Sequence, residues 1–258
     1  MRQIYPEPAV LTDSQLAARY RGPGRAGQVS HWLRANMVAS LDGAATVRGR
    51  TGGLSGGADR HVFAMLRALA DVIVVGAGTA RTEGYGPVRP GKEGVRWAWL
   101  RAGRAPAPIA VITRRIDLDP AGPLLAAPPG LARPIVITTE AAPADRRAAV
   151  AGRAELIVAG RESVDVRAAV DALTGRGYRQ ILTEGGPYLL SQIIEAGLLD
   201  ELCLTLSPLL AGPGASRIVA DTGPPCQPGG ASARPLDLAH VLADDGHLIC
   251  RYVRPADG

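Results

Sequence analysis

The chain has 258 residues, of which 47% are hydrophobic, and its formal net charge at pH 7 is +5. This apolar material is spread along the chain, which is sufficient for a globular core and argues against general disorder. The arginines are scattered rather than clustered and aromatic residues make up only 4% of the chain, a composition that argues against a nucleic-acid-binding surface.

Residues 1–30 show little hydrophobic periodicity and contain the sequence Arg21-Gly-Pro-Gly-Arg25. They are predicted to form an N-terminal arm with at most one short helix, near residues 13–19. Residues 1–10 lack the apolar stretch of a secretory leader, and no apolar run approaches the ~20 residues that span a bilayer. We therefore expect a cytoplasmic protein that does not bind membranes. From the length of the chain, a single domain over residues 31–258 is the first expectation and two small domains are the second.

Short apolar runs alternate with helical patterns from Trp32 onward, which is typical of a layered α/β fold. Several runs are unbroken and β-branched, as expected for parallel strands that are covered on both faces. The predicted strands are residues 33–39, 72–76, 109–113, 134–138, 155–159 and 180–183. The predicted helices are residues 58–69, 144–151, 166–174 and 188–196.

The last quarter of the chain has a different pattern. Residues 201–207 are predicted to form a strand, and residues 236–242 and 247–253 flank Ala243-Asp244-Asp245-Gly246, which is a strong signal for an antiparallel hairpin. Parallel strands followed by antiparallel ones predict a mixed sheet. The stretches rich in proline and glycine are predicted to be surface loops, and they are residues 84–94, 121–134 and 223–230.

The three cysteines, Cys203, Cys226 and Cys250, are odd in number and widely spaced. This spacing does not fit a disulfide framework or a tetrahedral zinc site, so we expect reduced thiols and no bound metal. Cys203 and Cys250 lie inside apolar strand patterns and are predicted to be core thiols.

The most informative segment is Glu184-Gly185-Gly186-Pro187, which joins a predicted strand directly to a predicted helix. The double glycine removes side chains where a ligand can approach, and the helix start directs free N–H groups and the helix dipole at an anion. We interpret the turn as a pyrophosphate site, with a plain tight turn as the alternative. Glu184, expected to be exposed at a strand tip, favours the ligand-binding interpretation because α/β sheets bind ligands there.

Two other strands also end in candidate site residues. The strand at 72–76 continues into Gly76-Ala77-Gly78-Thr79, which lacks the third glycine of the dinucleotide fingerprint, so a Rossmann domain is not predicted. Thr79 and Glu83 are nevertheless available for hydrogen bonds to a ribose or an amide. The strand at 33–39 leads to Asp42-Gly43, which is either an ordinary turn or a carboxylate placed to hydrogen-bond or protonate a polar substrate.

Taken together and in this order, three motifs resemble the reductase domain of riboflavin biosynthesis. They are Ala39-Ser40-Leu41-Asp42-Gly43, the segment 71–79, and Glu184-Gly185-Gly186-Pro187 with the segment 197–202. The resemblance covers roughly Trp32 to the C-terminus. It implies a dihydrofolate-reductase-like, three-layer α/β/α fold with a mixed, mainly parallel central sheet and a C-terminal antiparallel hairpin. It also implies a homodimer that uses NADPH to reduce the ribosylamino group of a pyrimidine phosphate.

The resemblance also implies roles for individual residues. Asp42 and Glu184 are the candidate catalytic carboxylates, on opposite sides of a cleft, and they contact the substrate together with Asn36 and Ala39. Arg114 and Arg161 are the candidates for pairing with the 2′-phosphate of NADPH. The complete set of predicted cofactor-binding residues is Thr79, Glu83, Thr113, Arg114, Arg161, Gly185, Gly186 and Pro187.

This chain departs from the family pattern at two places. It lacks the zinc deaminase motifs of the bifunctional relatives. In the segment 49–55, Arg50 and Gly53 stand where riboflavin reductases usually have glutamate and tryptophan. The loss of tryptophan at Gly53 leaves room for a pteridine such as dihydrofolate as an alternative substrate, and a non-catalytic NADP-binding protein is a further alternative.

Overall fold

A computed structural model describes residues 1–22, 30–89, 91–126, 130–220 and 233–256. The chain divides into two compact units, each assembled from segments that are distant in sequence. The first unit comprises Met1–Arg21, Leu33–Val62 and Gly185–Gly258, and the second comprises Gly22–Trp32 and Phe63–Glu184. The domain boundaries predicted from the sequence stay predictions.

The strands and helices follow one another along the chain with short connections. The strands are β1 (Arg2–Tyr5), β2 (Ala9–Val10), β3 (Trp32–Ser40), β4 (Val72–Gly76), β5 (Ile109–Ile112), β6 (Ile135–Thr138), β7 (Glu155–Val158), β8 (Gln180–Thr183), β9 (Glu201–Ser207), β10 (Asp237–Asp244) and β11 (His247–Val253). The helices are α1 (Asp13–Arg19), α2 (Gly57–Leu69), α3 (Ala77–Thr82), α4 (Lys92–Arg96), α5 (Ala144–Ala151), α6 (Val166–Gly175) and α7 (Pro187–Glu195), with 3-10 turns at Thr51–Gly53 and Ala98–Arg101.

The second unit contains a parallel sheet with the strand order β8-β4-β5-β6-β7. Every residue of β6 and the first four residues of β4 are buried. Burial on both faces explains why these strands are continuous apolar runs rather than alternating ones. Because the strands are parallel, their carboxyl ends lie at the same edge of the sheet, and this edge carries most of the predicted cofactor-binding residues.

The first unit contains a mixed sheet with the strand order β2-β1-β10-β11-β9-β3. β3 and β9 are parallel, whereas the other pairs are antiparallel. The predicted C-terminal hairpin is confirmed: Asp245 and Gly246 join β10 to β11, and both have positive φ angles, of 47° and 75°. Positive φ at both central residues is the geometry of the type I′ turn, which matches the twist of a hairpin. The predicted α/β class with late antiparallel strands is therefore confirmed.

The N-terminal segment is more structured than the sequence indicates. The short helix expected near residues 13–19 is confirmed as α1, which Thr12 and Gln15 cap reciprocally. The strands β1 and β2 were not predicted, although β1 pairs along β10. β1 buries only Gln3, so it lacks the apolar alternation that identifies a strand.

The predicted surface loops have different outcomes. The stretch at 84–94 runs into the short helix α4, which was not predicted. The stretch at 121–134 carries turns but no strand or helix in its described part. The loop predicted at 223–230 lies outside the described residues.

The predicted core thiols are confirmed, because Cys203 and Cys250 are both buried and neither forms a disulfide. Burial raises the pKa of both thiols, which disfavours the reactive thiolate. Cys226 lies outside the described residues. No helix among the described residues is long and apolar enough to cross a membrane.

A buried charge cluster crosses the sheet of the first unit. The fully buried Glu201 carboxylate accepts two hydrogen bonds from Arg34, at 2.6 and 3.0 Å, and two from Arg251, at 2.9 and 3.0 Å. Arg34 also donates to the carbonyl oxygen of Tyr20, the residue that ends α1. The cluster therefore ties α1 to β3, β9 and β11. Burial opposes ionisation of Glu201, but the two guanidinium groups prevail and lower its pKa to about 2.

We predict that Glu201→Gln lowers the free energy of unfolding by roughly 3–5 kcal/mol, because two buried guanidinium groups lose their counter-charge. Urea unfolding monitored by circular dichroism measures this change. Because folding lowers the pKa of Glu201, its stabilisation is complete above the usual pKa of 4.5 and is lost as the pH falls toward 2. The variant should therefore lose this part of the acid dependence. The exposed Glu162→Gln is the control, and equal stability of the two variants would contradict the prediction.

Candidate functional site

The carboxyl edge of the second unit presents two exposed arginines. Arg114 follows β5, and its carbonyl oxygen accepts hydrogen bonds from the hydroxyl groups of Thr138 and Thr139, at 3.4 and 3.1 Å. Arg161 follows β7, its side chain is 88% exposed, and its guanidinium lies 3.8 Å from the Glu140 carboxylate. The backbone is thus held while both guanidinium groups face solvent, an arrangement that suits the capture of a phosphate.

Thr113, which precedes Arg114, is buried rather than exposed. Its side chain belongs to the core, and its N–H donates to the carbonyl oxygen of Ile137 at 2.9 Å. A cofactor contact from this residue would therefore involve its backbone or follow a rearrangement. The predicted role of Thr113 stays a prediction.

Thr79 and Glu83 lie one turn apart at the carboxyl end of β4. Thr79 is within α3, and the N–H of Glu83 donates to the Thr79 carbonyl oxygen at 2.9 Å. Both side chains are half-buried. The structure therefore brings these two predicted cofactor-binding residues together on one short element at the edge that also carries Arg114.

The double-glycine turn belongs to the first unit and has the geometry that its sequence predicts. Gly185 has a φ of +85°, and a Cβ atom there would lie 3.3 Å from the Sδ and Cε atoms of Met37, so a side chain would be strained and crowded. The Gly185–Gly186 peptide bond is cis. Gly186 is the N-cap of α7, no side chain of the described residues caps this helix, and Pro187 occupies its first turn. The first-turn N–H groups of α7 are thus without a side-chain cap, as an anion site requires.

Asp42 lies just beyond β3 in the first unit, and its exposed carboxylate is held by three donors. The Ser40 hydroxyl donates to Oδ1, and the N–H groups of Ala211 and Gly212 donate at 3.1 and 2.8 Å. These bonds, the one from Ser40 above all, lower the pKa of Asp42 to about 2. Asp42 is therefore ionised near neutral pH. Of the two roles considered from the sequence, this favours orienting or polarising a substrate over donating a proton.

Asn36 and Ala39 do not form one substrate-facing surface. Both are buried in β3, with 9% and 4% of their areas exposed. Because side chains alternate along a strand, residues three positions apart face opposite sides of the sheet. Ala39 shares its face with Ala35 and Met37, which pack against Leu190 of α7. The predicted substrate contacts of Asn36 and Ala39 stay predictions, and Asn36 is the one of the two with a polar side chain.

Glu184 is buried, contrary to the expectation that it would be exposed. It directly follows β8 in the second unit, and only 2% of its side chain is accessible. Arg67 donates to both carboxylate oxygens at 2.7 Å, and the Tyr85 hydroxyl donates to Oε2 at 2.6 Å. All its strong contacts are thus within the protein, so the physical argument that was based on an exposed strand-tip carboxylate does not hold. A direct role of Glu184 in substrate binding or catalysis stays a prediction.

Several residues of these sites were missed by the sequence analysis. Arg67 and Tyr85 stand 117 and 99 positions from Glu184. Their local sequence does not distinguish them, because a basic residue in the last turn of a helix and a tyrosine after a glycine are both common. The donors from Ala211 and Gly212 are backbone groups, and no sequence pattern identifies them.

Gly53, at the position where the family has tryptophan, is exposed. A Cβ atom at Gly53 would lie 3.0 Å from the Cβ atom of Val47. Val47 also pairs with Arg50 through two backbone hydrogen bonds, at 2.9 and 3.1 Å. The segment is therefore a tight turn with Val47 against one side of Gly53, and the expectation that this glycine leaves room for a larger ring stays a prediction.

The chain is similar in sequence to a known family and to individual proteins. A model of the RibD C-terminal domain matches residues 31–250. The 2,5-diamino-6-ribosylamino-4(3H)-pyrimidinone 5′-phosphate reductase of Archaeoglobus fulgidus is 31% identical over 188 residues, which cover 72% of this chain and 84% of the relative. The reductase of the same name from Methanothermobacter thermautotrophicus is 26% identical over 84% of this chain and 95% of its own.

Among solved structures, a pyrimidine reductase-like protein of Corynebacterium diphtheriae is similar, with a TM-score of 0.75 and 28% identity. The match covers 88% of this chain and 93% of that one. The α/β fold with a mixed sheet that the motifs imply is thereby confirmed as the fold of a pyrimidine reductase-like protein. Within the described residues, no group of three or more histidine, cysteine, aspartate or glutamate side chains is arranged to hold a metal ion.

We predict that the Asp42 carboxyl group titrates near pH 2 and that Ser40→Ala raises this pKa toward the usual 3.8, because the strongest donor is lost. Carbon-13 chemical shifts of the side-chain carboxyl group, followed against pH, measure both values. Ser14→Ala in α1 is the control. An Asp42 titration unchanged by Ser40→Ala would show that this hydroxyl does not hold the carboxylate.

Proposed function

Because the chain belongs to the RibD C-terminal domain family, we propose that it is a nicotinamide-dependent reductase of the ribosylaminopyrimidine phosphate of riboflavin biosynthesis. The reaction adds hydride to C1 of the ribosyl group and gives the ribitylamino product. The observation that carries this proposal is the similarity to two pyrimidinone 5′-phosphate reductases over most of both chains. Both are named for the diaminopyrimidinone, so we propose this form as the first substrate and the deaminated uracil form as the second.

Each unit contains groups that suit one part of a nicotinamide dinucleotide. In the first unit, the uncapped start of α7 with Gly185, Gly186 and Pro187 suits the pyrophosphate. In the second unit, Thr79 and Glu83 offer hydrogen-bonding groups for the nicotinamide half. A bound nicotinamide would supply the hydride.

We propose that the chain prefers NADPH to NADH because two positively charged side chains are placed to bind a phosphate. Arg114 and Arg161 present exposed guanidinium groups at the carboxyl edge of the second unit, whose planar donors match a phosphate. An NADH-selective site would more commonly carry a carboxylate for the ribose hydroxyl groups. We therefore propose that these two arginines select the 2′-phosphate.

The chain's own contribution to the chemistry is positioning and charge. The ribosylamine must open, so that its nitrogen forms a double bond to C1 while the C1–O bond breaks and the oxygen takes a proton. The positive charge that develops on the C1–N group is stabilised by a carboxylate. Asp42, ionised and exposed, is proposed for this role. Asn36 is proposed as a polar contact for the substrate.

Two alternatives stay open. The first is a pteridine substrate, for which the exposed Gly53 would leave room where the family has tryptophan. A non-catalytic NADP-binding protein would retain the same fold and cofactor site, so only turnover separates it from a reductase. A homodimer and a cytoplasmic location are proposed from the family resemblance, and sedimentation velocity measures the first.

The purified protein is expected to oxidise NADPH with the diaminopyrimidinone ribosylamino phosphate, and mass spectrometry should find a product heavier by two hydrogens. Absorbance at the NADPH band follows the reaction. Assays with the uracil form and with dihydrofolate use the same protein. Turnover of dihydrofolate alone would replace the proposed substrate, and nucleotide binding without turnover would favour the non-catalytic alternative.

Arg161→Met and Arg114→Met are each expected to raise the KM for NADPH about tenfold or more, because a charge-assisted hydrogen bond to phosphate is lost. The KM for NADH should stay nearly unchanged, since NADH lacks the 2′-phosphate. Steady-state kinetics with both cofactors make the comparison. Arg146→Met, at an exposed position of α5, is the control. If neither variant changes the ratio of the two KM values, other residues select the cofactor.

A further inference from the structure

We propose that Arg67 and Tyr85 are positioning residues of the reductase site, which hold the Glu184 carboxylate and the end of α3 in one fixed arrangement. Neither residue belongs to the motifs that identify the family. All three side chains lie in the second unit, and they come from the last turn of α2, the turn after α3 and the residue after β8. The cluster thus joins three segments at one carboxylate.

Arg67 fixes the plane of the Glu184 carboxylate. Its Nε donates to Oε1 and its Nη2 to Oε2, both at 2.7 Å, which is the two-pronged geometry that only arginine provides. The guanidinium is held in turn by aromatic rings, 4.3 Å from the centroid of Phe63 and 5.5 Å from that of Tyr85. A guanidinium stacked in this way loses the freedom to follow a moving carboxylate, so the pair is rigid.

Tyr85 connects this pair to α3. Its hydroxyl donates to Glu184 Oε2 at 2.6 Å, and its N–H donates to the carbonyl oxygen of Ala80 in α3 at 2.8 Å. Gly84, with a φ of +68°, makes the turn that brings the ring back toward the carboxylate. Burial and the nearby Glu184 charge raise the pKa of Tyr85, so the hydroxyl keeps the proton that it donates. One side chain therefore sets the distance between α3 and Glu184.

The consequence for the site rests on the proposed function. α3 carries Thr79 and its C-cap is Glu83, the proposed contacts for the nicotinamide half, while Glu184 directly precedes the Gly185 of the proposed pyrophosphate turn. Within the second unit, the cluster therefore anchors α3 with its proposed cofactor contacts, and it fixes the residue that directly precedes the proposed pyrophosphate turn. Because transfer of hydride depends on sub-ångström placement, displacement of an anchor is expected to reduce the rate without unfolding the protein.

The test compares variants that change the cluster by single groups. Tyr85→Phe removes only the hydroxyl group, and Arg67→Met removes the guanidinium group. Arg67→Lys keeps the positive charge but loses the two-pronged geometry. The matched controls are Tyr178→Phe, at a half-buried tyrosine after α6, and Arg60→Met, at an exposed arginine in the part of α2 that belongs to the first unit. The measurements are kcat, the KM for NADPH and the thermal midpoint.

We expect Tyr85→Phe to lower kcat/KM for NADPH about tenfold and Arg67→Met about a hundredfold, with Arg67→Lys between the wild type and Arg67→Met. Both controls should match the wild type. Assays run far below the thermal midpoint separate positioning from stability, since a purely structural role would leave kcat and KM unchanged there. Wild-type kinetics for Tyr85→Phe and Arg67→Met under these conditions would overturn the proposal.

A second measurement does not depend on turnover. Hydrogen exchange of the amides in residues 79–85 should be faster in Tyr85→Phe than in Tyr178→Phe, because α3 loses its connection to Glu184. If the wild-type protein reduces no pyrimidine phosphate, the proposed function fails, and this exchange still decides whether the cluster fixes α3. Equal exchange in the two variants would mean that Tyr85 positions nothing.

Discussion

Parallel strand pairing is the constraint on which the candidate sites depend. In the second unit it brings the ends of β4, β5 and β7 to one edge, so that residues far apart in sequence face the same side. In the first unit, the register aligns Ser40 of β3 with Ser207 of β9. The turns after both strands then begin at the same level, and Asp42 can accept hydrogen bonds from Gly212 across 170 positions of sequence. A shift of the pairing register by one residue would turn each side chain of the strand to the opposite face of the sheet.

The sequence predicted most accurately the strands that have a local pattern, and it missed those whose position depends on a distant partner. β4, β8, β9 and β11 begin and end at the predicted residues. β4 is a continuous apolar run, β9 alternates buried and half-buried residues, and glycine, proline or charged residues bound the four strands. β1 was missed because its position depends on β10, which lies more than 230 residues further along the chain. A local pattern contains no information about such a partner.

Prediction of the candidate sites was limited in the same way, because local sequence does not show which distant residues will be partners. The turn at Gly185 was identified because glycine itself is the signal, and its positive φ and contact with Met37 explain that choice. Glu184, one residue earlier, was expected to be exposed because a strand tip usually is. Its burial depends on Arg67 and Tyr85, and these are brought to it by α2 and by the turn after α3. Motifs thus located the backbone that is proposed to bind the ligand, whereas the side chains that hold Glu184 beside it could be found only in the structure.

Three carboxylates of the chain differ in their partners, and this difference separates their uses. Glu201 is fully buried between two guanidinium groups and serves stability. Glu184 has one guanidinium and one hydroxyl, which fix its orientation. Asp42 is exposed, and within the described part of the chain its hydrogen-bond donors are neutral and no cation forms an ion pair with it. Of these three carboxylates, Asp42 is therefore the one whose negative charge can stabilise a positive charge on a bound substrate.

This distribution also bears on the source of the proton in the proposed reaction. Ring opening of the ribosylamine consumes a proton, and Asp42, whose pKa is lowered to about 2, carries none near neutral pH. An exposed carboxylate is in contact with water and can orient a water molecule or a substrate hydroxyl group by accepting its hydrogen bond. We therefore propose that the chain contributes charge and orientation at Asp42 and that the proton reaches the substrate from solvent.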